Sequence, residues 1–201
     1  MYEILKDEDI REPLFTWLEE KYGIVRFLEE KTMGKSRADI VMVCPDALYG
    51  IEIKSDADTY ERLKRQVRDY DKYFDYNMVV IGIRHAEHVQ EHVPAYWGIV
   101  TVEKVEAGFD FYVKREPLRN PKMKMERKIS LLWRPELAAI QKKYRLPAYR
   151  EKSKRFVEDK VLLKLDRDTV NVAVCDALFE RDYTLIEDTI EEYRRMKKPG
   201  R

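Results

Sequence analysis

Arg37-Ala38-Asp39-Ile40-Val41-Met42-Val43 and, beyond the loop at Cys44-Pro45-Asp46-Ala47, Tyr49-Gly50-Ile51-Glu52-Ile53-Lys54-Ser55 form the stretch that decides the fold. Each half is a strand pattern in which a lone carboxylate interrupts an apolar run. Side chains alternate across a strand, so Glu52 and Lys54 share one face while Ile51 and Ile53 take the other. Pro45 ends the first strand, and hairpin geometry can bring Asp39 close to Glu52. Two ionised carboxylates about 4 Å apart repel by roughly 4 kcal/mol at an effective dielectric near 20. That is a large part of a domain's ~5–15 kcal/mol stability, so such a pair needs a cation, a shared proton or a basic neighbour. Lys54 supplies one positive charge. A hard divalent ion would supply the rest, and Mg2+ (or Mn2+) takes one or two carboxylates together with substrate phosphate and water.

Working outward, residues 9–22 read as an amphipathic helix closed by Gly23, and residues 24–32 as a strand that turns at Gly34-Lys35 into the Asp39 strand. A helix is expected over 58–74, then a short apolar run at 78–83 of the kind found in a buried central strand. The order is helix, three strands, helix, strand. Two further strands are expected at 95–102 and 109–114. Pro117, Asn120 and Pro121 mark a loop, and helices are expected at 126–143, 151–164, 168–180 and 185–196. The reading is an α/β chain with a core to residue 114 and a basic helical region over 115–201.

Composition narrows the function classes. With 44% apolar and 38% charged residues among 201, the chain is globular, and its longest apolar run is far too short to span a bilayer. No charged-then-apolar leader opens it, and Cys44 and Cys175 have no CxxC partner, so a cytoplasmic protein without membrane attachment is expected. The net charge of +1 conceals an asymmetry: residues 1–113 carry 15 Lys/Arg against 23 Asp/Glu, whereas residues 114–160 carry 16 against 6. A basic stretch beside an acidic body suits a phosphate-binding surface next to a metal-binding one.

Gln66 and Tyr70 are four residues apart on the expected helix and share a face, with Arg62 and Arg65 a turn or less before them. An amide and a phenol beside arginines suit a surface that grips a phosphate backbone. Asp39, Glu52-Ile53-Lys54 and Gln66-x-x-x-Tyr70 together resemble the PD-(D/E)XK nuclease superfamily, in particular its RecB-like branch with a QxxxY helix. Residues 35–59, 88–98 and 131–136 also resemble small bacterial proteins of that superfamily whose role is unsettled. The resemblance implies a restriction-endonuclease-like αβββαβ core with a mixed sheet, and metal-dependent cleavage of nucleic acid, DNA above all. It implies Asp39 and Glu52 as metal ligands, Lys54 as the catalytic lysine, and Gln66 and Tyr70 near substrate. A further acidic ligand is expected from the first helix, with Glu12 as the candidate and Glu30 second. The motif's usual proline before the aspartate is Ala38 here, a position that supplies no ligand.

Two other readings compete. His88-Val89-Gln90-Glu91-His92 fits the inverted zincin pattern, but Pro94 leaves little room for the helix such a site needs. The same fold can also serve as a catalytically silent module that holds nucleic acid or a protein partner, with Trp133, Tyr144 and Tyr149 among the basic residues. A homodimer is compatible with either use.

Overall fold

The computed structural model describes residues 6–55, 59–83 and 86–183. Its elements are α1 (Asp7–Tyr22), β1 (Arg26–Met33), β2 (Ser36–Val43), β3 (Leu48–Lys54), α2 (Leu63–Tyr73), β4 (Tyr76–Gly82), α3 (Val89–His92), β5 (Gly98–Val105), β6 (Gly108–Arg115), α4 (Met125–Ile129), α5 (Arg134–Lys143), α6 (Lys154–Lys164) and α7 (Arg167–Phe179). The first six follow the expected order of helix, three strands, helix and strand.

The strands form a six-stranded mixed sheet in sequence order. β1, β2 and β3 pair antiparallel, β4 and β5 join in parallel, and β6 returns antiparallel. Alternation along each strand feeds two cores. On one face Ile40, Met42, Ile51, Ile53, Met78 and Val80 pack against Ile10, Leu14 and Leu18 of α1. On the other, Val41, Val43, Val79 and Ile81 pack against Leu63, Val67 and Tyr70 of α2 and against Ile129, Leu132, Val157 and Val174 from the later helices. The chain is therefore a helix–sheet–helix sandwich. The boundary expected at residue 114 falls at the end of β6, yet the packing runs across it, because the later helices share the sheet's core.

A buried ion pair strengthens that join. Lys128 of α4 is fully buried, and its ammonium donates to Asp75 and to Asn171 of α7. The Asp75 carboxylate also accepts the Leu48 N–H at 2.8 Å, at the start of β3.

Several boundaries depart from expectation. The helix expected at 126–143 is two helices, because Pro135 lies in the first turn of α5 and Trp133 before it is extended. The helix expected from 58 begins at Leu63, and that expected from 151 begins at Lys154, where the Ser153 side chain accepts the Phe156 N–H. The helix expected over 185–196 lies outside the described residues. α3 is only four residues long, and His92 stacks on Tyr60 at 4.3 Å, so the His88–His92 pattern forms no catalytic helix. No helix among the described residues is long and apolar enough to cross a membrane.

Gly50 lets α2 lie against β3. A Cβ there would sit 2.2 Å from Phe74 Cδ2 and 2.6 Å from Tyr70 Cδ1, both in the packed interior. Gly50→Ala should cost about 1–3 kcal/mol, the usual range for overpacking. It should appear as a lower urea midpoint with an unchanged slope, and an unchanged midpoint would contradict the packing.

Candidate active site

The pairing of β2 with β3 ends at Ile40 opposite Ile51. One residue further the strands part, leaving Asp39 and Glu52 at the mouth of the gap, while β3 stays paired with β4 as far as Lys54 opposite Ile81. The Ile53 N–H bonds to Asp39 Oδ2 at 2.8 Å instead of to a strand carbonyl. In open α/β sheets, ligand clefts form outside the carboxyl ends of strands, as here beyond β3. Here the cleft is a cavity of about 480 Å³ lined by Asp39, Glu52, Ile53 and Lys54 from the sheet. Asp7 of α1, the turn between β1 and β2, Arg62 at the start of α2, and Arg65 and Gln66 within it complete its wall. Asp39 and Glu52 thus face the same cavity from adjacent strands, as the sequence predicts.

Glu52 is 1% exposed and Lys54 5%, so both are removed from water. A buried carboxylate persists in charged form only if paired and hydrogen-bonded. Glu52 has both kinds of support. Its Oε1 accepts from Lys54 Nζ at 2.5 Å and from the Gln66 amide, and its Oε2 accepts from the Tyr70 hydroxyl at 2.5 Å. Tyr70 is fully buried, and its hydroxyl oxygen also accepts the Asp39 N–H at 3.3 Å. One phenol therefore links the backbone of β2 to the side chain of β3. The same burial and the neighbouring Glu52 push the Tyr70 phenol well above its ordinary value. Tyr70, expected near substrate, is sealed behind Glu52, whose carboxylate it holds by that hydrogen bond.

Gln66 is divided between two tasks. Its nitrogen is spent on Glu52, while Oε1 is shielded from solvent and has no partner. Arg62 and Arg65 are exposed on the rim, where they can meet an anion.

Asp39 is in the opposite condition to Glu52. Burial, then the charge of Glu52, raise its pKa from 3.8 to about 8, against the smaller pull of the Ile53 N–H and Lys54. The folded chain therefore strains against a second negative charge here.

The acidic ligand expected from α1 needs correction. Glu12 is exposed and lines no part of the cavity. Asp7 does line it, and its charge contributes to the raised pKa of Asp39. Asp7 is gripped by Arg11 at 2.7 Å, and Arg11 also binds Glu29 at 2.8 Å and Glu30 at 2.5 Å. Glu30, the second candidate, is occupied by Arg11 and Arg37 and lies outside the cavity lining. Among the described residues no cluster of three or more His, Cys, Asp or Glu side chains has metal-holding geometry. The oxygens that could hold a metal in this cavity are those of Asp39 and Glu52, with the orphaned Gln66 oxygen in the same wall. Two carboxylates with room for water suit Mg2+, which keeps several waters and rarely demands a full protein cage.

Because Asp39 binds a proton more tightly folded than unfolded, stability without metal should fall as pH rises from about 4 to about 8. Its contribution has a limiting slope of roughly 1.4 kcal/mol per pH unit. Urea unfolding in chelator at several pH values should show this slope in the wild type and a shallower one in Asp39→Asn. Parallel curves would contradict the assignment.

Comparison with known proteins adds the following. No curated protein matches the chain. The structure of Pyrococcus furiosus SfsA in complex with Ca2+ aligns over 61% of this chain and 68% of its own, at 13% identity and a TM-score of 0.36, a likeness too slight to bear on fold or function. A family described as bacteriophage P4 protein cII matches residues 3–197, nearly the full 201-residue length, and the chain belongs to that family.

Proposed function

We propose that the protein is a Mg2+- or Mn2+-dependent nuclease that hydrolyses phosphodiester bonds, with DNA as substrate. The observation that carries this reading is the convergence of Asp39, Glu52 and Lys54 on one cavity in which burial and the Glu52 charge outweigh the pull of Lys54 on Asp39. A divalent ion there would polarise the phosphate and lower the pKa of water. Asp39 and Glu52 would hold it. Lys54, already at Glu52, presents an ammonium beside the reacting phosphate to offset its growing negative charge and orient the attacking water. Arg62 and Arg65 would seat the neighbouring phosphate oxygens. Water adds to phosphorus, the bridging P–O bond breaks, and the products are a phosphomonoester and an alcohol.

The family's description is of a bacteriophage protein, compatible with a bacterial or phage origin. A cytoplasmic setting fits the two free, buried thiols of Cys44 and Cys175, which a reducing compartment preserves.

One observation favours a second reading. Both oxygens of Glu52 are already satisfied by Lys54, Gln66 and Tyr70, an arrangement that would also suit a silent nucleic-acid-binding module. Cleavage separates the two. Incubated with single-stranded, double-stranded and branched DNA, the wild type should cut at least one substrate with Mg2+ or Mn2+ and none in chelator. Asp39→Ala and Lys54→Ala should lower the rate by on the order of 10²-fold or more with circular dichroism preserved. Tyr70→Phe should lose roughly 10–100-fold and require more metal, as expected for a group acting through Glu52. A wild type that binds DNA yet cuts nothing would establish the silent module.

A further inference from the structure

A second cavity, of about 870 Å³, opens on the far side of Arg65. Lys35 and Arg65 line both cavities, so the two meet along a shared wall. From there the second runs between α2 and the loop that follows β6, past Arg68 and Lys72 on one side and Lys122 and Lys124 on the other. Arg65, Arg68 and Lys72 are spaced three and then four residues apart and follow one stripe of α2. At 1.5 Å per residue the stripe is about 10 Å long, roughly three phosphates of one strand at its ~3.4 Å axial repeat.

The walls are built rather than loose. Asn120 donates its side-chain amide to the carbonyls of Asp71 and Phe74, at 2.9 and 2.7 Å, and the Lys124 N–H bonds to the Lys72 carbonyl at 3.1 Å. Asp71 accepts from the Tyr96 hydroxyl at 2.6 Å and the Trp97 indole at 2.9 Å. Also on α2, Asp69 accepts from the Ser36 hydroxyl at 2.7 Å and from the Lys35 backbone, which fixes the turn carrying Lys35. The two carboxylates in the wall are thus committed to holding it together. Lys72 and Lys122 share them at 3.0 and 3.3 Å. Lys35, Arg65, Arg68 and Lys124 pair with no carboxylate among the described residues, so their charge faces the groove.

We infer that this groove is the track for one nucleic-acid strand, holding the backbone phosphates that flank the bond placed in the first cavity. The inference rests on the nuclease reading for its orientation, but the grip itself is electrostatic and independent of metal or turnover. It also divides the basic stretch at 114–160: Lys122 and Lys124 hold substrate, whereas Lys142 and Lys152, exposed elsewhere on the helical region, do not.

The test measures binding in chelator, where no cleavage intervenes. Fluorescence anisotropy with a labelled 20-nucleotide single strand and its duplex would compare the wild type, Arg68→Glu/Lys124→Glu, and the charge-matched control Lys142→Glu/Lys152→Glu, each with its thermal melt checked. The groove variant should bind at least tenfold more weakly, with a log–log salt slope shallower by about 1.4–1.8, the release expected for two phosphate contacts. The control should stay within threefold of the wild type. Equal losses in both variants would reduce the effect to net charge, and no loss in the groove variant, or no wild-type binding, would remove the track; each overturns the inference. Failure to cut with groove-dependent binding intact would overturn the nuclease reading alone.

Discussion

Burial of the Glu52 carboxylate is the constraint around which the rest is arranged. An isolated carboxylate taken from water into an apolar interior costs several kcal/mol even after relaxation. The fold offsets that cost from three directions: Lys54 two residues along the same strand, Gln66 and Tyr70 one turn apart on α2. Each requirement fixes a larger feature. Tyr70 reaches Glu52 only if α2 lies flat on β3, which requires a glycine at position 50. The same hydroxyl must meet the Asp39 backbone, which sets how far β2 and β3 part. The cavity is therefore the gap left when one phenol and one carboxylate are satisfied together.

The contrast between the two acids gives the site its character. Glu52 is supported on both oxygens, whereas at Asp39 one backbone N–H and the pull of Lys54 are outweighed by burial and the Glu52 charge. A persistent deficit of positive charge at the mouth of a cavity is the kind of local cost that functional sites carry.

Much of this was legible in the sequence because it obeys short-range periodicity. The alternation Ile51-Glu52-Ile53-Lys54 states which face each side chain takes, and the four-residue spacing of Gln66 and Tyr70 states that they act together. What failed was whatever depends on packing. The sequence points to Glu12 on α1, yet the buried stripe Ile10, Leu14 and Leu18, extended one turn toward the N-terminus, falls on Asp7. That stripe was the available signal. Tyr70 was expected at the substrate because composition cannot distinguish a phenol facing the cavity from one sealed behind the carboxylate it supports. The break at Trp133 was signalled by Pro135, which the helical pattern around it masked.

The basic segment shows why net charge is a weaker guide than placement. The excess of Lys and Arg over residues 114–160 is real, but the fold disperses it. Lys128 is buried on Asp75 and fastens α4 to the sheet. Lys143 pairs with Asp176, Lys154 with Glu158 and Arg155 with Asp159. The cations nearest β6 are held along α2 because Asn120 and the Lys124 backbone bind there. The cations flanking the cavity are instead assembled from three places distant in sequence: the β1–β2 turn, the exposed stripe of α2, and this loop. A polyanion reads the sum of charges within about a Debye length, ~8 Å at physiological salt, and does not distinguish which part of the chain supplied them. Tertiary packing, acting through uncharged hydrogen bonds, therefore sets where the positive field lies, and it lies beside the cavity that holds Asp39 and Glu52.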